Sequence, residues 1–214
     1  MKIDLHVHTS QRSSCSLAAE EDLIAAAIQA GIDAIVLSDH ECLPPPGHVE
    51  RLSHKYAPFR VFAGIELTTD GEHVVVVGLE DPALATRDWS YADLWHFVEE
   101  REGFLFLAHP FRYHDEVKID VESFPPGGIE INSQNMGEVD PARLDEFIAA
   151  HGLRPVANSD AHRCLYVGIY HNILEGHPQT ASELTEVLRD GRFAPGRMEE
   201  RIELLKRTGE RHLR

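Results

Sequence analysis

MKIDLHVHTS (Met1–Ser10) sets Asp4, His6 and His8 at every second position, between the apolar residues Ile3, Leu5 and Val7. Side chains two apart on an extended chain point the same way, so the alternation predicts a strand with its polar groups on one face and its apolar groups on the other. The polar face either meets water or lines a site. The strand leads into SLAAEEDLIAAAIQAGID, whose periodicity predicts a helix with Ser16 as its cap, Glu20 and Glu21 in its first turns and Gly31 at its end.

The same alternation continues along the chain. AIVLSDH (34–40), VFAGIELT (61–68), HVVVVGL (73–79), FLFLAHP (104–110), GIEINS (128–133), RPVANSDAH (154–162) and VGIYHNIL (167–174) read as strands. Helices are predicted over YADLWHFVEEREG after a Ser90 cap, over DPARLDEFIAAHG with Pro141 in its first turn and Gly152 at its end, and over ASELTEVLRDG. Such alternation predicts an α/β fold with a largely parallel sheet covered on both faces. TTDGEH (68–73) is the exception, since its Asp-Gly pair suits an antiparallel turn. We read residues 1–196 as one barrel domain and 197–214 as a helical tail. Met198, Ile202 and Leu205 would pack that tail on the body or against a second copy, and Glu203–Arg207 and Glu210–Arg214 stand at i,i+4 spacing.

The 214 residues, 43% of them apolar, can bury a real core. Twenty Lys and Arg against 36 Asp and Glu give a net charge of −16, which repels long nucleic acids and anionic membranes. There is no apolar run of about 18 residues and no leader-like start, so a cytoplasmic protein is expected. The three cysteines, Cys15, Cys42 and Cys164, have neither disulfide nor zinc-ribbon spacing. Histidine, at 14, is the abundant residue.

Many of those histidines fall at the carboxyl ends of strands, the edge where α/β sheets and barrels bind ligands. His6 and His8 end the first strand, Asp39 and His40 the second; Glu66 lies near the end of the third, and His109, Asp160 and His162 end later ones. The Asp-Gly turn would return His73 to the same edge. A lone histidine is ordinarily a core or surface residue. Six imidazoles with two or three carboxylates, however, would repel and lose solvation without a cation among them. Imidazole with carboxylate suits zinc, manganese or iron, and the donors outnumber the needs of one ion. At least two metals are implied, with a shared carboxylate such as Glu66 able to bridge them.

DLHVHT, SDH, GIE, AHP and SDAH, in this order, resemble the motifs of the PHP family, named for polymerase and histidinol phosphatase. The resemblance runs from Met1 to about Phe193. It implies a distorted (β/α)7 TIM-like barrel with two or three divalent ions at its carboxyl-terminal mouth, and a phosphoesterase activity. Carried over by position, His6, His8, Glu66 and Asp160 hold a first ion. Glu66, His73 and His109 hold a second, and His40 and His162 contribute to a third. The loop SQRSSCS lacks the histidine or aspartate that often completes the third site, which leaves Cys15 as a candidate ligand.

Asp4 and Asp39 read as groups that orient neighbouring imidazoles. Arg112 and Arg163 directly follow metal motifs and suit a substrate phosphate, with Arg12 a weaker candidate. The expected reaction is attack of a metal-bound hydroxide on a phosphate ester of a small molecule or short nucleotide. Where a third ion does not engage them, His162 or His40 would protonate the leaving oxygen. The loops Glu41–His48 and Phe111–Phe124 would shape the substrate pocket. Hydrolysis of a C–N bond and non-catalytic metal binding are the alternatives.

Overall fold

The computed structural model describes residues 1–137 and 139–209. β1 (Lys2–Val7) is buried from Ile3 onward, and it is not the simple two-faced strand its alternation predicts. Its pairing with β2 (Ala34–Leu37) shifts register between Asp4 and Val7. Before the shift, Ile3 and Leu5 pack with Val36, Phe62, Val75 and Phe106 on the inner side of the sheet. After it, Val7 packs outward with Ile35 and Leu37 against α1 (Glu20–Gln29). Asp4 stands opposite Ile35 on the outer face, whereas His6 lies edge-on to Phe106 inside, with ring centroids 6.2 Å apart. The expectation that Asp4, His6 and His8 share a face is thereby corrected. A bulge lets one strand put apolar side chains into the floor and imidazoles into the mouth.

The remaining elements are α2 (His48–Lys55), β3 (Arg60–Thr69), β4 (Glu72–Val77), α3 (Ala83–Thr86), α4 (Tyr91–Glu100), β5 (Phe104–Leu107), β6 (Gly128–Asn132), α5 (Pro141–His151), β7 (Pro155–Ala157), β8 (Tyr170–Leu174), α6 (Ala181–Arg189), β9 (Phe193–Arg197) and α7 (Glu199–Arg207). The sheet order is β7-β6-β5-β4-β3-β2-β1-β8-β9. β1-β2-β3 and β5-β6-β7 are parallel, while β4 runs against both neighbours and β8 against β1 and β9. The sheet is thus mixed rather than largely parallel, and regular β/α repeats are fewer than a (β/α)7 count implies. The Asp-Gly turn is one cause: Asp70 (φ 49°) and Gly71 (φ 87°) both occupy the left-handed region, which makes a tight hairpin and leaves no room for a helix between β3 and β4.

The sheet curls until its far edge meets β1. The His8 amide donates to the Ala161 carbonyl at 3.0 Å, and side-chain amides finish the seam. Asn172 accepts from the Ala157 amide (3.1 Å) and donates to its carbonyl (2.9 Å) and to Asn158 Oδ1 (2.9 Å). Asn158 Oδ1 in turn accepts from the Leu5 amide. Asn172→Ala would strand several buried polar groups at once. At roughly 1–3 kcal/mol for each group left unpaired, we expect urea unfolding to show a loss of about 2–4 kcal/mol.

Most helical signals hold, with Ser90 and Asp140 capping α4 and α5 and Gly152 closing α5. Ser16 does not cap α1. Its hydroxyl donates to the His8 carbonyl at 2.8 Å, and the helix starts at Glu20, whose amide donates to the Gln11 side chain. At the C-terminal end, Ile202 and Leu205 of α7 are buried against the body. Arg201 ties α7 to the carbonyls of Cys164 and Leu165. Glu203 pairs with Lys206 rather than with Arg207; the Glu210–Arg214 pair lies outside the described residues. Among the described residues no helix is long and apolar enough to cross a membrane.

Candidate metal centre

All eight expected ligands meet at the carboxyl-terminal mouth, around Glu66. Its Oε1 lies 2.8 Å from His73 Nδ1 and 3.0 Å from His109 Nε2. Its Oε2 lies 3.3 Å from His6 Nε2, 3.2 Å from His8 Nε2 and 3.0 Å from His40 Nδ1. Asp160 Oδ1 completes the group, 3.5 Å from His6 Nε2 and 3.1 Å from His8 Nε2. The rings of His40 and His162 each stack near His8, at 4.5 and 4.4 Å, and lie 6.2 Å from each other.

His6 Nε2, His8 Nε2, Glu66 Oε2 and Asp160 Oδ1 are buried, face one another and make no hydrogen bond. Four orphaned donors in one place would be costly as they stand. The four imidazole–carboxylate separations among them, 3.1–3.5 Å, are close to the roughly 3.3–3.4 Å edges of a tetrahedron with bonds of about 2.0–2.1 Å. The residues therefore fit a divalent cation. Further donors lie within 4.8 Å of one another in three sets: His6, His109 and Asp160; His40, Glu66 and His73; His8, His40 and His162. Cys15 is exposed and belongs to none of these sets among the described residues.

Protonation tells the same story. Burial alone would lower the His6 pKa, but Asp160, Glu66 and Glu130 outweigh it and raise it well above the usual value. His8, likewise opposed by burial, is pushed up to about 9 by Asp160 and Glu66. Burial would raise the carboxyls of Glu66 and Asp160, yet the surrounding imidazoles hold both far below the ordinary range. Without a cation, protons on these imidazoles would have to offset the two carboxylates.

The groups behind the ligands differ in part from expectation. Asp39 accepts from the Thr9 amide, the Thr9 and Ser13 hydroxyls and Arg12 Nε. Because Ser13 spends its proton on Asp39, its oxygen accepts from His8 Nδ1 at 3.3 Å, which fixes the His8 tautomer and leaves Nε2 free. Asp39 therefore orients an imidazole through Ser13. Among the described residues Asp4 bonds to no imidazole. It accepts from the Ser159 and Gly168 amides on the outer face and steadies the segment before Asp160, and burial raises its carboxyl to about 6. The group that does hold His6 is Glu130, which sequence reasoning missed; its one signal was a lone acid inside the apolar run GIEIN.

Arg112 points its guanidinium at the cluster, 3.9 Å from Asp160 Oδ2, and stacks over Tyr113, whose ring lies 5.2 Å from that of His73. Arg163 is exposed at the rim. Arg12 is turned away, held between Asp39 (2.7 Å) and Glu20 (3.1 Å). Left-handed backbone concentrates here, at Glu41 (φ 51°), His109 (φ 26°), Phe111 (φ 64°) and Asp160 (φ 50°). Such conformations cost about 1–3 kcal/mol each and persist where the surroundings impose them.

Residues 142–193 match a family model described as PHP-associated, PHP_C. Among solved structures, PsfC from Pseudomonas syringae superposes with a TM-score of 0.70 at 18% identity, over 99% of this chain and 97% of that one. A two-domain protein from Bacteroides vulgatus, containing a predicted PHP-like metal-dependent phosphoesterase, gives 0.69 at 16% identity over 93% of this chain and 65% of that one. The fold is of the PHP type. An amidohydrolase from Chromobacterium violaceum superposes with a TM-score of 0.63 at 17% identity over 91% of this chain and 98% of that one. Comparison with curated proteins gave no match.

Proposed function

We propose that the protein is a metal-dependent phosphoesterase acting on a small phosphorylated molecule. The observation that carries this reading is the quartet of buried, unpartnered donors with a guanidinium beside it. In this reading His6, His8, Glu66 and Asp160 hold one ion, Glu66, His73 and His109 a second, and His40 and His162 are the donors left for a third. Zinc, manganese and iron all suit such donors. Ions held there supply Lewis-acid chemistry, drawing charge from a phosphate's oxygens and making bound water acidic.

The chain's own side chains do the rest. Arg112 and Arg163 grip the phosphate's outer oxygens. His162 donates Nδ1–H to the Asp160 carbonyl at 3.0 Å, and burial lowers its pKa, so its Nε2 offers a lone pair, as a ligand or proton acceptor. With no third ion bound, His40, 34% exposed, is better placed to carry a proton to the leaving oxygen. The acidity of the whole chain favours a compact substrate over a long strand.

The PHP-like phosphoesterase in the Bacteroides protein supports this reading. The Chromobacterium structure holds sulfate, a tetrahedral anion shaped like phosphate, but its name keeps C–N hydrolysis as the second reading. Protein loaded with manganese, iron or zinc should be screened for phosphate release from esters and amine release from amides. Phosphate release supports the proposal. Amine release alone would replace it, and neither, with metal bound, would favour a non-catalytic metal-binding protein. For Arg112→Ala we expect kcat/KM for phosphate release to fall by about 10–100-fold, since a charged hydrogen bond contributes about 1.5–3 kcal/mol. Metal content should not change.

A further inference from the structure

Glu130 is fully buried, and each of its oxygens has a fixed task. Oε1 lies 3.2 Å from His6 Nδ1 and accepts from Asn158 Nδ2 at 2.9 Å. Oε2 accepts from the backbone amide of His109 at 2.9 Å, holding a residue whose φ of 26° needs support. We infer that Glu130 is a positioning residue shared by both ion sites, one oxygen setting the His6 ring and the other setting the His109 backbone. The inference rests on the reading above that His6 and His109 serve different ions. With Oε1 accepting from His6 Nδ1, the Nε2 lone pair is left to the orphan quartet.

The network dictates what an amide would do here. Asn172 is oriented by both backbone groups of Ala157, and it orients Asn158, so Asn158 must present its NH2 to Oε1. In Glu130→Gln the new oxygen is therefore forced toward Asn158 and His6. The new NH2 is forced against the His109 amide, donor against donor. His6 keeps its partner; His109 loses its own.

Cobalt(II) titration followed by visible absorption, which reports coordination number, tests this on the full chain. The unaltered protein should take up two ions. E130Q should keep the first with its spectrum intact and bind the second about 10–100-fold more weakly, whereas Glu130→Ala should weaken both. Two ions bound by E130Q with unchanged affinities and spectra would overturn the shared role while leaving the two-ion reading standing. Fewer than two ions in the unaltered protein would overturn that reading and this inference with it. Should E130Q fail to fold, imidazole nitrogen NMR of the zinc-loaded unaltered protein gives the answer: a proton on His6 Nδ1 is expected, and one on Nε2 overturns the role.

Discussion

Glu66→Gln is expected to reduce phosphate release by about 10³-fold or more and to strip the protein of ions. Glu66 touches five imidazoles, His73 and His109 through one oxygen and His6, His8 and His40 through the other. An amide of the same shape has only one acceptor. Whichever way it turns, its NH2 faces ring nitrogens whose lone pairs the ions need, and the negative charge that would bridge two cations is gone. Ion stabilisation of a charged transition state is a matter of several kcal/mol, and about 4 kcal/mol corresponds to about 10³ in rate. Elemental analysis and a phosphate-release assay check this, with circular dichroism to confirm that the variant folds. Retention of both ions and of activity would remove Glu66 from the centre of the site.

The convergence of the candidate ligands was legible because barrel geometry turns sequence position into location. Polar residues at the ends of apolar strands, as in LHVH, SDH and AHP, converge at one edge whatever the intervening loops do, and the Asp-Gly pair foretold the return of His73. Asp4 was misplaced because a bulge breaks the period of two. The bulge is set by packing beneath it, where Ile3 and Leu5 fill the floor with Phe62 and Phe106. Glu130 was missed because its partners, His6, Asn158 and His109, lie 124, 28 and 21 residues away, and nothing local marks a buried carboxylate as paired. Arg12 sits in a metal-motif loop like Arg112, and only tertiary contact shows that Asp39 and Glu20 have claimed it. Mixed strand direction was half visible: the β3–β4 turn has a sequence signature, whereas the antiparallel docking of β8 on β1 has none.

Removing the ions is expected to lower the thermal midpoint by about 5–10 °C, and by more at higher pH. An ion present at about 100 times its Kd stabilises by about 2.7 kcal/mol, and a chain of this length gains about 2–4 °C for each kcal/mol. The pH dependence follows from what replaces the cation. In the ion-free protein His8 titrates at about 9, well above the ordinary value of 6.5, and His6 is raised as well. A histidine raised on folding contributes stability that is whole below its unfolded pKa and is lost as pH rises through its folded one. The stripped protein should therefore weaken between about pH 6.5 and 9. The loaded protein, whose imidazoles are already neutral, should not weaken in this way, so the gap in midpoint widens over that window. Reloading at pH 7.5 should release about two protons, one each from His6 and His8. Calorimetric titration in two buffers of different ionisation heat measures that number. Metal uptake with no proton release, or a gap that narrows with rising pH, would mean that His6 and His8 do not give up protons to the ion.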